Sequence, residues 1–249
     1  MSSDVTLYVG ATWCSPGWLA VAYTERGFDH STVFEEVGQL WTRYQERARR
    51  VFVDVPVGLR ESGSEPRPPE PLAREVVGPQ AGTVVAAPVR EATRKQTYRA
   101  ANRVTERKAD RGISRRAHAR SRGIADVDDL LQAIDDAREV VRESHPEVCF
   151  RAFAGAPLRY PRSVAAGYAE RMRALAAFDR DAPPAVQSAA EGTEGAEVTV
   201  ASVLDGVALA LTARPGPGEL WTLPADPPTD PVGLPMELVY RAEERLAVE

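Results

Sequence analysis

Lysine is nearly missing: of 31 basic residues only Lys95 and Lys108 are lysines, the others being arginines. Arginine stays charged throughout the physiological range and grips carboxylate or phosphate with a fixed fork of donors. Cysteine is just as scarce. Cys14 and Cys149 form no C-x-x-C pair and are expected to be free thiols. No apolar run is long enough to span a bilayer, and the N-terminal MSSDVTLYVG has no basic-then-apolar targeting pattern. The expectation is a cytoplasmic protein with no membrane partner. Glycine-rich phosphate loops are missing too: Gly10 and Gly17 stand alone near the first hairpin, which argues against a kinase-like nucleotide site. A net charge of −5 over 249 residues excludes a chain that is basic throughout, so any affinity for polyanions must come from local patches.

What is present reads as an α/β chain. VTLYVG, WLAVAYT and the region around STVFEE have strand composition, with turns at Ser15-Pro16-Gly17 and Glu25-Arg26-Gly27. GQLWTRYQERARR follows, with Leu40, Trp41, Tyr44 and Ala48 near helical spacing. VFVDVPVGL is an apolar run broken only by Asp54 and reads as a buried central strand. ESGSEPRPPEPLAREVVGPQ reads as loop. The stretch from Glu91 to Gly123 is helix-prone and basic, and VDDLLQAIDDA reads as a further helix. EVVRESHPEVCF begins as a strand and turns at Pro146. SVAAGYAERMRALAAF has Ala165, Tyr168, Met172, Leu175 and Phe178 toward one side of a helix, and ASVLDGVALALTA reads as an apolar helix carrying one acid. GELWTL is a closing strand, and the proline-rich stretch from Pro224 to Pro235 leads to a short last helix. Strands first and helices alternating with strands afterwards imply a mixed sheet covered by helices.

Three carboxylates stand where carboxylates are costly. Asp54 interrupts one apolar run, Asp205 another, and Glu143 ends the VVRE strand just before His145 and Glu147. An ionised acid in an apolar element costs several kcal/mol unless it is paired or ligates a metal. Acids at the ends of different elements can converge, and converging carboxylates are how proteins hold Mg²⁺ or Mn²⁺. Each also has a plainer explanation: Asp54 as a cap on its loop, Asp205 in a pair with an arginine, Glu143 on a solvated face and His145 as a structural turn residue.

In order along the chain, VGATWCSPGW, Asp54-Val55-Pro56-Val57-Gly58-Leu59, Pro88-Val89-Arg90, Ser114-Arg115-Arg116-Ala117, Glu143-Ser144-His145-Pro146-Glu147-Val148-Cys149-Phe150 and Asp205-Gly206-Val207-Ala208 match a known pattern. The chain resembles domain-of-unknown-function family 429, whose members are predicted nucleases of the RNase H-like fold. The E-x-H-P-E-x-x-F element is the most specific part of the match. The resemblance implies one RNase H-like domain over residues 1–224 with a helical, arginine-rich insertion at about 60–135, followed by a proline-rich extension over 225–249. It implies a hydrolase that uses Mg²⁺ or Mn²⁺, with Asp54, Glu143 and Asp205 as metal ligands and His145 orienting a group or moving a proton. Two positions depart from the pattern. Thr12 stands where the first strand of the family carries Asp, and Arg116 where it carries Gln. Thr offers a neutral hydroxyl that leaves cation charge unanswered, so a non-catalytic member that binds nucleic acid, a nucleotide or a protein is the alternative.

The basic segment fits a nucleic-acid partner, with Arg94, Lys95, Arg99, Arg115 and Arg116 as candidate contacts. The competing explanation is that these cations answer acids elsewhere in an acid-rich chain, since Tyr98 is the one aromatic among them.

Overall fold

The structure is a computed structural model that describes residues 5–14 and 17–248. Ser15 and Pro16 of the expected first turn lie outside the described residues. Strands β1 (Leu7–Trp13), β2 (Trp18–Thr24) and β3 (Gly27–Phe34) form an antiparallel meander. Helix α1 (Val37–Tyr44) then carries the chain to β4 (Ala48–Val53), which lies parallel to β1. Strand β5 (Val141–Glu143) adds in parallel beyond β4, giving the order β3-β2-β1-β4-β5. This mixed sheet with helices on its faces is the expected α/β, RNase H-like architecture.

The central strands are apolar on both faces, and their alternation splits the core into two layers. Tyr8, Leu19, Val21, Tyr23 and Phe52 face one layer, while Val9, Ala11, Ala20, Ala22, Val51 and Val53 face the other. The first layer is covered by α7 (Pro146–Ala154), α8 (Ala165–Phe178), α9 (Ala182–Glu191) and α10 (Val200–Ala213). The second is covered by α1, by α5 (Arg115–Ala133) and by α6 (Asp135–Val140). Helix α10 lies closest to the sheet because Gly10 makes room for it. A Cβ at Gly10 would sit 2.3 Å from both the Ala210 amide nitrogen and the Gly206 carbonyl oxygen, a separation real atoms do not adopt.

Between β4 and β5 the chain forms α2 (Pro69–Val77), a 3₁₀ segment (Gly78–Thr83), α3 (Arg90–Thr93) and α4 (Tyr98–Ala109) before α5 and α6. Val89, Ala92, Ala101, Val104, Ala109, Ile113 and Ala117 form a small apolar cluster there.

Several elements differ from the sequence expectations. Ala48 begins β4 instead of ending the preceding helix. Residues 69–77, expected as loop, are helical, since proline at the first helical positions starts a helix with no amide lost. Pro146 likewise opens α7, capped by His145, instead of making a simple turn. The helix-prone stretch from Glu91 to Gly123 divides into α3, α4 and the first part of α5, which runs on through Gly123 into the helix expected at 127–137, whose end falls in α6. On α8 the buried stripe is Gly167, Arg171, Ala174 and Leu175, whereas Tyr168 is 41% exposed. The expected closing strand is β6 (Glu219–Leu223), and the expected last helix is instead strand β7 (Leu238–Ala242). The two pair in a ribbon of their own, which a bridge between Ser144 and Val239 joins to the end of β5. Leu238, Val239 and Tyr240 are all buried, so both faces of the segment are used, as a strand allows.

Candidate functional site

The site forms where β1, β4 and β5 end on the same side of the parallel strands. Strand β4 finishes at Val53, and the Asp54 amide still continues its ladder by donating to the Ala11 carbonyl at 3.2 Å. The Asp54 carboxylate accepts from the Thr12 hydroxyl at 2.7 Å and from the Trp13 amide at 2.8 Å. Arg120 of α5 lies 3.1 Å from the same carboxylate and also donates to the Asp54 carbonyl. Thr12 is 2% exposed and serves as a hydrogen-bond donor to the acid.

The rest of the Asp54-Val55-Pro56-Val57-Gly58-Leu59 element is scaffold. Gly58 has φ +74°, and a Cβ there would come within 2.7 Å of the Pro235 carbonyl oxygen. Leu59 is fully buried, and its amide donates to Asp230 at 2.8 Å.

Glu143 pairs opposite Val53 in the sheet and turns its carboxylate to the loop after β4. It accepts from the Val57 amide at 2.7 Å and from both terminal nitrogens of Arg67. Arg67 also donates to the Val57 carbonyl, so guanidinium and carboxylate lock together inside the protein. Burial pushes the Glu143 carboxyl up to about 7, with Arg67 and the Val57 amide pulling the other way.

His145 caps α7: its Nδ1 accepts from the Glu147 amide at 3.2 Å and so carries no proton. Burial, reinforced by the charge of Arg120, holds its pKa down to about 4. Two residues on, Glu147 is 4% exposed and meets Arg171 of α8 at 2.6 Å through Oε1. Its other oxygen, Oε2, is buried without a partner. Asp205 of α10 is 2% exposed and pairs through Oδ2 with Arg162, from the loop before α8. Its Oδ1 is buried without a partner as well. Burial raises the Asp205 carboxyl to about 7, with Arg162 opposing and the charges of Asp54 and Glu147 adding to the rise.

These groups line one cavity of about 60 Å³, room for roughly four waters. Asp54, Glu143, His145 and Asp205, the four residues singled out from sequence, all border it. Sequence reasoning missed Glu147, the second acid of the E-x-H-P-E element, together with Arg67, Arg162 and Arg171. The one visible signal for two of these arginines is a stiff proline flank, Pro66-Arg67-Pro68 and Pro161-Arg162.

The basic candidates divide sharply. Arg116 borders the cavity and donates to the Gly82 carbonyl at 3.0 Å. Partial desolvation, then the like charges of Arg162 and Arg120, hold its pKa below the usual value. Arg94 pairs with Asp128 and Asp129, and Lys95 pairs with Glu91, as do Arg107 and Lys108. Arg115 lies over the Tyr98 ring at 4.7 Å, and Arg99 is exposed. Arg90, the arginine of Pro88-Val89-Arg90, is a buried tie between Asp128, Asp230 and Glu61. Most of the basic segment therefore spends its charge on the chain's own acids.

Both thiols are free, and burial raises the pKa of Cys14 and moves that of Cys149 up to about 11, which leaves neither poised as a thiolate nucleophile.

As arranged, most of the carboxylate oxygens already have donors. The Asp54 and Glu143 oxygens are taken by hydroxyl, amide and guanidinium donors, and one oxygen each of Asp205 and Glu147 is held by arginine. Among the described residues no group of three or more His, Cys, Asp or Glu side chains is disposed to hold a metal ion. No helix among them is long and apolar enough to cross a membrane.

No significant match was found among curated proteins or among solved structures. The family model described as "Protein of unknown function (DUF429)" matches residues 12–229, a span that holds every acid and arginine of the cavity. The chain belongs to the DUF429 family.

Proposed function

We propose that the cleft binds the phosphodiester backbone of a nucleic acid, with Arg116, Arg120 and Arg162 as the phosphate contacts. One observation carries this reading: three guanidinia from α5 and from the loop before α8 converge on one cavity. Arg116 and Arg120 stand one helical turn apart and share a face. Guanidinium forks match the paired oxygens of a phosphodiester, and a site screened from water strengthens the contact. The unpartnered Asp205 Oδ1 and Glu147 Oε2 then serve as acceptors for donor groups beside the phosphate, such as sugar hydroxyls or base amines.

The test is fluorescence anisotropy with labelled single-stranded and duplex DNA and RNA oligonucleotides across a salt series. The expected result is an affinity that falls as salt rises and drops about tenfold or more in Arg116→Ala, the scale of one charged contact. Affinity independent of salt, or unchanged in Arg116→Ala, overturns the reading.

A metal-dependent nuclease, with Asp54, Glu143 and Asp205 on Mg²⁺ or Mn²⁺ and His145 as the orienting group, is the second reading. The three cavity carboxylate oxygens buried without partners, on Asp205, Glu147 and Glu70, favour it. Its signature is oligonucleotide cleavage that requires Mn²⁺ and disappears in Asp205→Asn.

A further inference from the structure

We infer that Arg120 and Arg162 take the place of a divalent cation in this cleft, so that the protein holds its acids together, and meets an anion, without metal. The inference deepens the phosphodiester reading but stands on separate observations.

The first is pairwise. Four of the five cavity acids have a guanidinium of their own, Asp54 with Arg120, Asp205 with Arg162, Glu143 with Arg67 and Glu147 with Arg171, and the fifth, Glu70, shares Arg67. The cations come from α5, α8 and two separate loops, so no single helix face imposes the pattern. Arg116 adds a further positive charge at the cavity wall. A dication entering the cleft would meet acids already neutralised and arginines that repel it.

The second is Thr12. At the end of β1 its hydroxyl donates to the Asp54 carboxylate at 2.7 Å. An acid at position 12 would put two like charges side by side and call for a cation between them. A hydroxyl removes that repulsion and occupies an Asp54 lone pair that a metal would need.

The third is exposure. Arg67 and Arg171 are 2% and 0% exposed, whereas Arg120 and Arg162 are 26% and 39% exposed. The inner pair supports the wall. The outer pair faces buried acids on one side and solvent on the other. That two-sided position is where a resident dication would work, since it neutralises carboxylates and offers positive charge to an incoming phosphate. Guanidinium does both with fixed geometry and no hydration shell to strip from an ion.

The experiment is Mn²⁺ titration of the full-length chain, followed by calorimetry and by electron paramagnetic resonance. In wild type no saturable binding tighter than about 1 mM is expected, the weak end of protein cation sites. Oligonucleotide affinity is expected to be the same with Mg²⁺ and with EDTA. In Arg120→Gln/Arg162→Gln the acids are released, and Mn²⁺ affinity is expected to rise at least tenfold. Thr12→Asp combined with Arg162→Gln reaches the same state by a second route, should the first double variant not fold. Saturable Mn²⁺ binding by wild type that Asp205→Asn abolishes overturns the inference. So does a folded double variant that gains no affinity, because the arginines would then be masking nothing. If no oligonucleotide binds wild type while the Mn²⁺ results hold, the phosphodiester reading fails and this inference stands.

Discussion

The inner and outer ion pairs of the cleft use the same two residue types for different ends. In the inner pairs, Arg67–Glu143 and Arg171–Glu147, both partners are buried and each arginine also donates to backbone carbonyls. Arg171 additionally lies over the Phe150 ring at 5.7 Å. Losing one partner leaves the other charged in a dry interior, so these pairs are structural commitments. In the outer pairs, Arg120–Asp54 and Arg162–Asp205, the acid is buried but the arginine reaches water. Such a cation can leave, exchange or accept an anion without exposing core. The same ion pair is thus a brace or a contact surface according to which partner solvent can reach.

The widest break in that comparison is expected from Arg171→Ala, which strands Glu147 inside the protein. A loss of about 3–5 kcal/mol is predicted, a fall in Tm of roughly 6–20 °C for a chain of this size. Arg162→Ala is expected to cost only about 1 kcal/mol, because its guanidinium is partly screened by water and Asp205 can take up a proton instead. Thermal or urea unfolding of the two variants side by side checks the ranking, and equal losses would erase the distinction between inner and outer pairs.

A smaller effect should appear with pH. The folded protein raises Asp205 to about 7, so its contribution is full below the ordinary carboxylate range and is lost as pH rises through about 7. His145 is lowered to about 4, so its contribution is full above the ordinary histidine pKa and is lost as pH falls through about 4. The two oppose each other between those values. Asp205→Asn is expected to remove part of the decline in Tm toward neutral pH, the rest staying with Glu143, which is also raised to about 7, and His145→Asn the decline toward acid, read from Tm across a pH series.

The smallest effect is expected at the surface of the basic segment. Arg107 is 64% exposed and shares Glu91 with Lys95 and Lys108. Arg107→Ala should leave Tm unchanged within error. A clear loss there would make the basic segment more than a solvated face.

Local patterns were legible in the sequence where the chain alone decides them. Apolar alternation and short turns located β1 to β3, and the long apolar run located α10. Asp54, Glu143, His145 and Asp205 were found because an acid or a histidine between apolar neighbours is conspicuous. Their partners were not conspicuous. Arg67 meets Glu143 across 76 residues of chain, and Arg162 meets Asp205 across 43. An arginine in a chain full of arginines carries no mark of the acid it will answer. The same distance hides β7, whose pairing with β6 depends on a partner strand and not on its own composition. Helices that begin on proline, α2 and α7, were misread because proline breaks a helix everywhere except at its start.

Gly10 bears on where the acid of the neighbouring helix stands. Asp205 sits next to Gly206, whose carbonyl oxygen is one of the atoms a Cβ at position 10 would strike. A methyl group on β1 would therefore push α10 outward and carry the acid with it. Thr12, two residues along the same strand, meets the site through a side-chain hydroxyl that donates to Asp54. The missing carbon at position 10 thus sets where the acid of α10 stands.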